Sequence, residues 1–378
     1  MGIIIGWNTN NFYDTHKDSL SEYWWKVCQN SFDNSPFIKV DKSDWHFRAE
    51  RSFQFKNLPE WYTQTMGSDW IGTKVVLADA LEVYNTLAHD LIAMWVDDIA
   101  RYGGIPLIVS NVSDIKWAET KKHIDSFKQA LDWLSQVAKE QELIVLSWET
   151  ASLWECIGSP NPNANFPFNW SATFLWASHE KLKITWEKLR AGNILVALKQ
   201  DGFRSNGISK VRKAFEMKYG KNWYQEAPRE EIMEALSPSK VYARAISEAN
   251  GWYNNWEPLV NITAISHLSW GSFQSKFYEP FLLKHWLSAN FNDLYSMPEI
   301  TKKCINWLIE WWENLSLEDA YQTWWCGQWM IVALENQNNA EDFIKICSRF
   351  WIESQIAWEI THTNKWKEPN LVIPTSSH

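Results

Sequence analysis

A chain of 378 residues, 46% of them hydrophobic, is long enough for two domains or one large one and has ample apolar content for a core. Its net charge of −9 and pI near 5.6 argue against a sequence-independent nucleic-acid binder, which needs a basic face, while small anionic substrates need only a local basic pocket. The five cysteines (Cys28, Cys156, Cys304, Cys326, Cys347) are scattered and form no C-x-x-C pair, which fits reduced thiols and offers no metal framework.

In chain order, Met1 to Gly6 has no basic stretch before its short apolar run and reads as a first strand, not a signal peptide. No stretch approaches a membrane span, so the expectation is a soluble cytoplasmic protein. Thr73 to Leu77 reads as a strand, and Asp90 to Tyr102 has helical spacing that ends at Gly103-Gly104-Ile105-Pro106. Leu107 to Val109 is a buried strand, followed by a helix from about Glu119 to Glu140 and a strand at Leu143 to Leu146. Asn161 to Pro167 is a loop, Ser171 to Leu175 a strand, and Ile194 to Leu198 a fully buried strand with the domain boundary placed just before it, near residue 185. The second half repeats the alternation. Helices are expected from Ser209, over Pro238 to Glu248, around Pro298 to Asn314 and over Ala340 to Phe350, with strands at Asn261 to Ile265 and Met330 to Leu334. The tail from Lys365 reads as an exposed end. Alternating strands and helices favour a mixed α/β architecture.

Tryptophan stands out: there are 28, against 14 glycines. An average glycine content of about 7% would give roughly 26. Trp70, Trp148 and Trp270 sit in short polar segments after apolar runs, where a backbone turns through positive φ or approaches a ligand, which is glycine work. The reading that accounts for both counts is a gene whose UGA codons specify glycine, rendered here as tryptophan. The competing reading is a Trp-rich binder of carbohydrate or aromatic ligands, which leaves the missing glycines unexplained.

Five segments have the residue types for chemistry. Asp69-Trp70-Ile71-Gly72-Thr73-Lys74 sets a carboxylate beside a turn, a hydroxyl and a lysine, suited to hydrated magnesium and phosphate oxygens, although its plainer reading is a strand-entry turn with a solvated lysine. It is not a Walker loop. Asp90 reads alone as a helix cap, and Asp97 and Asp98 cannot share a helical face, so at most one of them points into a given site. Glu149-Thr150 lies at the carboxyl end of a buried strand, where α/β proteins place ligands, or is a surface turn. Gly202-Phe203-Arg204-Ser205-Asn206-Gly207 opens a helix carrying Lys210, Arg212 and Lys213 and suits an anion site for a phosphate-bearing ligand, the plainer reading being an ordinary Ser/Asn cap that does not need the two glycines. His267-Leu268-Ser269-Trp270-Gly271 leaves a strand, and its lone histidine is more often structural than catalytic.

Together and in this order, these segments resemble aminoimidazole ribonucleotide synthetase (phosphoribosylformylglycinamidine cyclo-ligase). That family has D-G-V-G-T-K, D-L-V-A-M-x-V-N-D-L with Q-G-A-E-P-L, G-G-E-T-A, H-S-N-G-Y-S-L-V-R, H-I-T-G-G-G and N-C-G-x-G-M. The matching stretches here are Asp69 to Lys74, Asp90 to Asp98 with Gly103 to Leu107, Trp148 to Ala151, Arg204 to Arg212, His267 to Gly271, and Cys326 to Met330. Trp70, Trp148, Trp270 and Trp329 fall on family glycines, and Trp176, Trp186, Trp351 and Trp358 look the same by context. Arg204 stands for the family histidine and Asp97 for its asparagine, so Asp97→Asn is expected to be mild. The chain also lacks E-M-P-G after Ala151, and Asn169 falls where an acidic residue is common.

The resemblance implies a two-domain α/β (α+β) fold. Residues 1–185 would bind ATP and metal and pair their sheet with that of a second subunit to close a barrel, and residues 186–378 would form a C-terminal α/β domain. It implies a homodimer that uses ATP and magnesium on a phosphorylated ribonucleotide, with no nucleic-acid or membrane partner. Lys74, Asp98 and His267 would be catalytic. Gly72, Thr73, Asp90, Glu149, Thr150, Ser205, Asn206 and Gly207 would bind ATP or substrate, and Asp69, Asp98 and Glu149 would hold magnesium. Among sister families, selenophosphate synthetase would need a reactive N-terminal cysteine, which Cys28 does not match. The hydrogenase-maturation relative ends in a cysteine motif, whereas this chain ends Ser376-Ser377-His378. Thiamine monophosphate kinase is the alternative. If the tryptophans are real, the alternative is an inactive dimeric scaffold or aromatic-ligand binder.

Overall fold

The structure, a computed structural model, describes residues 12–43, 51–117, 120–269, 271–311, 326–364 and 367–373, with 319, 321 and 324. The expected strand at Met1 to Gly6 and Trp270 lie outside them.

The first half is built on a four-stranded sheet. Its strands are β3 (Thr63–Trp70), β4 (Ile105–Ile115), β5 (Ile144–Ser152) and β6 (Phe168–Ser178), in the order β3-β6-β4-β5. β4 and β5 are parallel, as a crossover helix requires, and the other pairings are antiparallel. A small pair, β1 (Ile38–Val40) and β2 (Phe53–Phe55), precedes it. One face of the sheet is covered by α1 (Phe12–Ser31), α3 (Leu87–Ala100) and α4 (Lys121–Glu140), with α2 (Val75–Leu81) preceding α3. Thr120 caps α4 by accepting from the His123 amide at 3.2 Å.

The register decides which side chains share a face. Asp69, Ala172, Asn111 and Trp148 are opposite one another across the four strands, and they face the helices. Trp70, Ser171, Val112 and Glu149 are one step on and therefore occupy the other face. Among the described residues, Met66, Trp70 and Val112 are exposed on that second face.

The second half holds a four-stranded antiparallel sheet of β7 (Ile194–Lys199), β8 (Ile262–His267), β10 (Gln328–Leu334) and β11 (Ser354–Glu359), in the order β11-β7-β10-β8. Around it run α5 (Ile208–Tyr219), the short α6 (Trp223–Glu226), α7 (Arg229–Ala235) and α8 (Ala243–Ala249). A π-helical stretch, Phe273–Leu283, then precedes α9 (Glu299–Trp311) and α10 (Gln337–Arg349). β9 (Leu287–Asn290) pairs with β12 (Thr361–His362) and, in parallel, with β13 (Leu371–Val372), so part of the tail read as an exposed end is tied into a sheet.

Two sequence readings need correction. Thr73 to Leu77 is not a strand: Gly72–Lys74 form a 3₁₀ turn that runs straight into α2. Trp70 and Trp148 are not in positive-φ turns but in β3 and β5. The left-handed tryptophans are others. Among the described residues, eleven that are not glycine have positive φ, and five of these are tryptophan: Trp61, Trp186, Trp256, Trp286 and Trp351. Left-handed backbone is disfavoured for residues with a Cβ, and the usual exceptions are Asn and Asp, not bulky rings. Trp186 and Trp351 are two of the positions that sequence context marks as glycine-like. Trp351 also closes α10 in a complete Schellman motif, with the Ile352 amide on Cys347 O at 3.1 Å and the Trp351 amide on Ser348 O at 3.2 Å. The same closure at the end of α8 is made by Gly251, at φ 96°.

Candidate functional site

A cleft of about 190 Å³ opens where the two halves meet. β3 supplies Asp69 and Trp70, the turn after it Gly72, and α3 supplies Met94 and Asp98, one helical turn apart. From the second half come Ser205 and Asn206, just before α5, Ser269 after β8, and Trp329 on β10.

Asp69 and Asp98 thus face one cavity although 29 positions separate them in sequence. Burial, then the neighbouring Asp98 charge, push the Asp69 carboxyl above its ordinary range, against a hydrogen bond from the Trp70 amide. For Asp98, burial acts in the same direction but is outweighed by the hydrogen bond and charge of His267 and by Arg101 and Arg204, so its pKa is lowered. His267 Nδ1 lies 2.6 Å from Asp98, and His267 Nε2 lies 2.9 Å from the Ser269 hydroxyl. Burial lowers the His267 pKa, although Asp98 opposes this. A neutral imidazole donates from Nδ1 to the carboxylate and accepts the Ser269 proton at Nε2, which leaves the Ser269 oxygen polarised at the cleft wall.

Several expected site residues lie elsewhere. Lys74 is fully buried, with its ammonium 2.8 Å from Asp90 and donating to Phe203 O at 2.7 Å and Ser237 O at 2.6 Å. It does not line the cleft, and neither does Asp90, which also accepts from Ser239. Burial lowers the Lys74 pKa, with Asp90 opposing. Thr73 is half-buried in the 3₁₀ turn, off the cleft wall. Gly207 is the N-cap of α5, left-handed at φ 77°. Thr150 is on the helix-covered face, hydrogen-bonded to Trp24 Nε1 at 3.2 Å and to the Ser113 hydroxyl at 2.8 Å. Glu149 is on the open face of β5, at the far edge of the sheet from Asp69, so one chain does not bring it to Asp69 and Asp98. Among the described residues there is no group of three acidic, histidine or cysteine side chains placed to hold a metal ion. Asp69 and Asp98 alone suit one, since a cation between them would relieve their mutual repulsion.

Residue spacing did not reveal the contribution of Ser269 or the pairing of Asp97 with Arg204. Arg204 is fully buried 2.8 Å from Asp97, which is also fully buried, so Asp97→Asn would strand a buried guanidinium and is not mild.

No family model matches the chain. Among curated proteins, it is 28% identical over 249 residues to the phosphoribosylformylglycinamidine cyclo-ligase of Lachnoclostridium phytofermentans, covering 65% of this chain and 67% of that one. It is 24% identical over 303 residues to the enzyme of the same name from Methanobrevibacter smithii, covering 79% and 80%. Among solved structures, it resembles thiamine-monophosphate kinase from Stenotrophomonas maltophilia, with TM-score 0.54, 9% identity and coverage of 92% and 94%. It also resembles the hydrogenase maturation protein HypE of E. coli, with TM-score 0.51, 12% identity and coverage of 92% and 91%. The two structures define the mixed α/β fold. The sequence relatives carry the same name as the family that the ordered motifs resemble, and the chain is similar to phosphoribosylformylglycinamidine cyclo-ligases over about two thirds or more of its length.

Proposed function

We propose that the chain, with glycine at the recoded positions, is an ATP-dependent cyclo-ligase that closes formylglycinamidine ribonucleotide to aminoimidazole ribonucleotide. The observation that supports this most is the convergence of Asp69 and Asp98 with Ser205, Asn206 and Ser269 on one cleft between the halves. In the reaction, ATP transfers its terminal phosphoryl group to the formamide oxygen, the internal amine attacks that carbon, and phosphate leaves as the ring closes. A poor leaving group becomes a good one, and the nucleophile is held close.

The residues divide that work. Asp69 and Asp98 would hold magnesium, which would supply charge neutralisation for the phosphates. Ser205 and Asn206, ahead of α5, hold phosphate oxygens with the help of the helix amides. Ser269, backed by His267 and Asp98, accepts a hydrogen bond from the attacking amine and passes its proton inward. Lys74 acts from behind the wall: through Phe203 O and Ser237 O it fixes the start of the 203–207 segment.

The cavity, at about 190 Å³, is below the roughly 300–1,000 Å³ of ordinary ligand pockets. Two indoles, Trp70 and Trp329, form part of its wall, and glycine at both positions would widen it. We also propose a homodimer in which the open sheet faces meet, covering Met66, Trp70 and Val112 and bringing Glu149 of each chain toward the other's sheet. A purified glycine-restored protein should consume ATP only with formylglycinamidine ribonucleotide present. Phosphorylation of thiamine monophosphate instead would favour the kinase reading that the fold likeness leaves open, and inactivity towards both would favour a scaffold.

A further inference from the structure

Asp97 and Arg204, two departures from the family pattern inside its motifs, meet across the junction of the halves. Arg204 Nη2 donates to Asp97 Oδ2 at 2.8 Å and to Ala93 O at 3.0 Å, and Nη1 donates to Lys240 O at 2.7 Å. The other carboxylate oxygen of Asp97 accepts from the Tyr242 and Ala243 amides at 2.8 and 3.1 Å. The guanidinium also lies 4.1 Å from the ring centre of Trp329, a cleft residue. Neither side chain is exposed. Each is the immediate neighbour of cleft residues: Asp98 follows Asp97 on α3, and Ser205-Asn206 follow Arg204.

We propose that Asp97 and Arg204 are a matched pair of positioning residues that locks the two walls of the cleft, α3 and the 204–207 segment, at a fixed gap and so sets its affinity for a phosphate-bearing ligand. The ligand class rests on the function proposed above; the locking does not. A buried charge needs its partner, so neither departure is tolerable without the other, and together they form one unit. Arginine holds three separate oxygens here, whereas a histidine has two ring nitrogens and cannot reproduce all three bonds. The pair is thus one contact across the junction of the halves, not two independent losses.

The test is a double-mutant cycle of D97N, R204H and D97N/R204H, read by hydrogen exchange of α3 and residues 204–210 without ligand, and by calorimetric binding of Mg-ATP. Each single variant should accelerate exchange in both segments by about tenfold or more and weaken ATP by a similar factor, while the double variant recovers most of both. Effects that multiply in the double variant would overturn the pairing. Single variants that melt early yet exchange and bind like the parent would overturn positioning. If D97N does not fold, R204K, which keeps the charge but not the planar fork, should fold and still loosen residues 204–210; parent-like exchange there would refute the lock. The cycle is made in the glycine-restored protein: if that parent binds no ATP the functional reading fails, and the exchange data still decide the pair.

Discussion

Replacing Trp351 by glycine should stabilise the protein, although it deletes the largest side chain available. Trp351 ends α10 with φ at 57°, and its ring is 90% exposed. Left-handed backbone costs a residue with a Cβ about 1–2 kcal/mol, and glycine escapes that cost. Glycine loses roughly 0.5–1 kcal/mol more backbone entropy on folding, which offsets part of the gain. So little of the ring is buried that its removal forfeits only a few tenths of a kcal/mol, by about 25 cal/mol per Å². The net expectation is about 0.5 kcal/mol of added stability, or a melting temperature higher by roughly 0.5–1 °C for a chain of this size. Chemical and thermal denaturation of W351G beside W223G would measure it. Trp223 is 2% exposed in helix α6, where the same change should cost about 3–5 kcal/mol. A W351G protein destabilised by 1 kcal/mol or more would refute the reasoning that this backbone position is built for glycine.

Native protein from the source organism should show glycine in peptides spanning residues 70, 186 and 351, and mass spectrometry finding tryptophan there would end the recoding account. W70G/W329G should bind Mg-ATP at least about tenfold more tightly than the parent by calorimetry, because the substitution removes two indoles from the wall of a small cleft. Lys74→Met should lose about 3–5 kcal/mol in urea unfolding, since it strands Asp90 in the interior; a loss below 1 kcal/mol would show that the pair is dispensable. Asp98→Asn in the glycine-restored protein should reduce turnover by about 100-fold or more with folding largely kept, and unchanged turnover would remove Asp98 from the site.

Much of the secondary structure is visible along the chain, because periodicity and turn residues are local. The Asp90 to Tyr102 periodicity became Leu87–Ala100, and the buried run Ile194 to Leu198 became β7. A short apolar run cannot declare its own type, so Thr73 to Leu77 was misread. Its β-prone residues are helical here while Lys74 is drawn inside to Asp90, Phe203 and Ser237, partners 16 to 163 residues away. The motif order alone carried the resemblance to the family that the sequence relatives are named for, and the tryptophan and glycine counts alone raised the expectation of substituted glycines. Sequence spacing also established that Asp97 and Asp98 diverge on their helix. Which one faces the cleft was decided only by packing, since Arg204 and the Tyr242 amide, over 100 positions away, claim Asp97 and leave Asp98 to His267. Sheet register likewise separated Glu149 from Asp69, because one residue of offset moves a side chain to the opposite face. Local composition cannot encode such choices; they arise from long-range contacts that exist only after the two halves pack together.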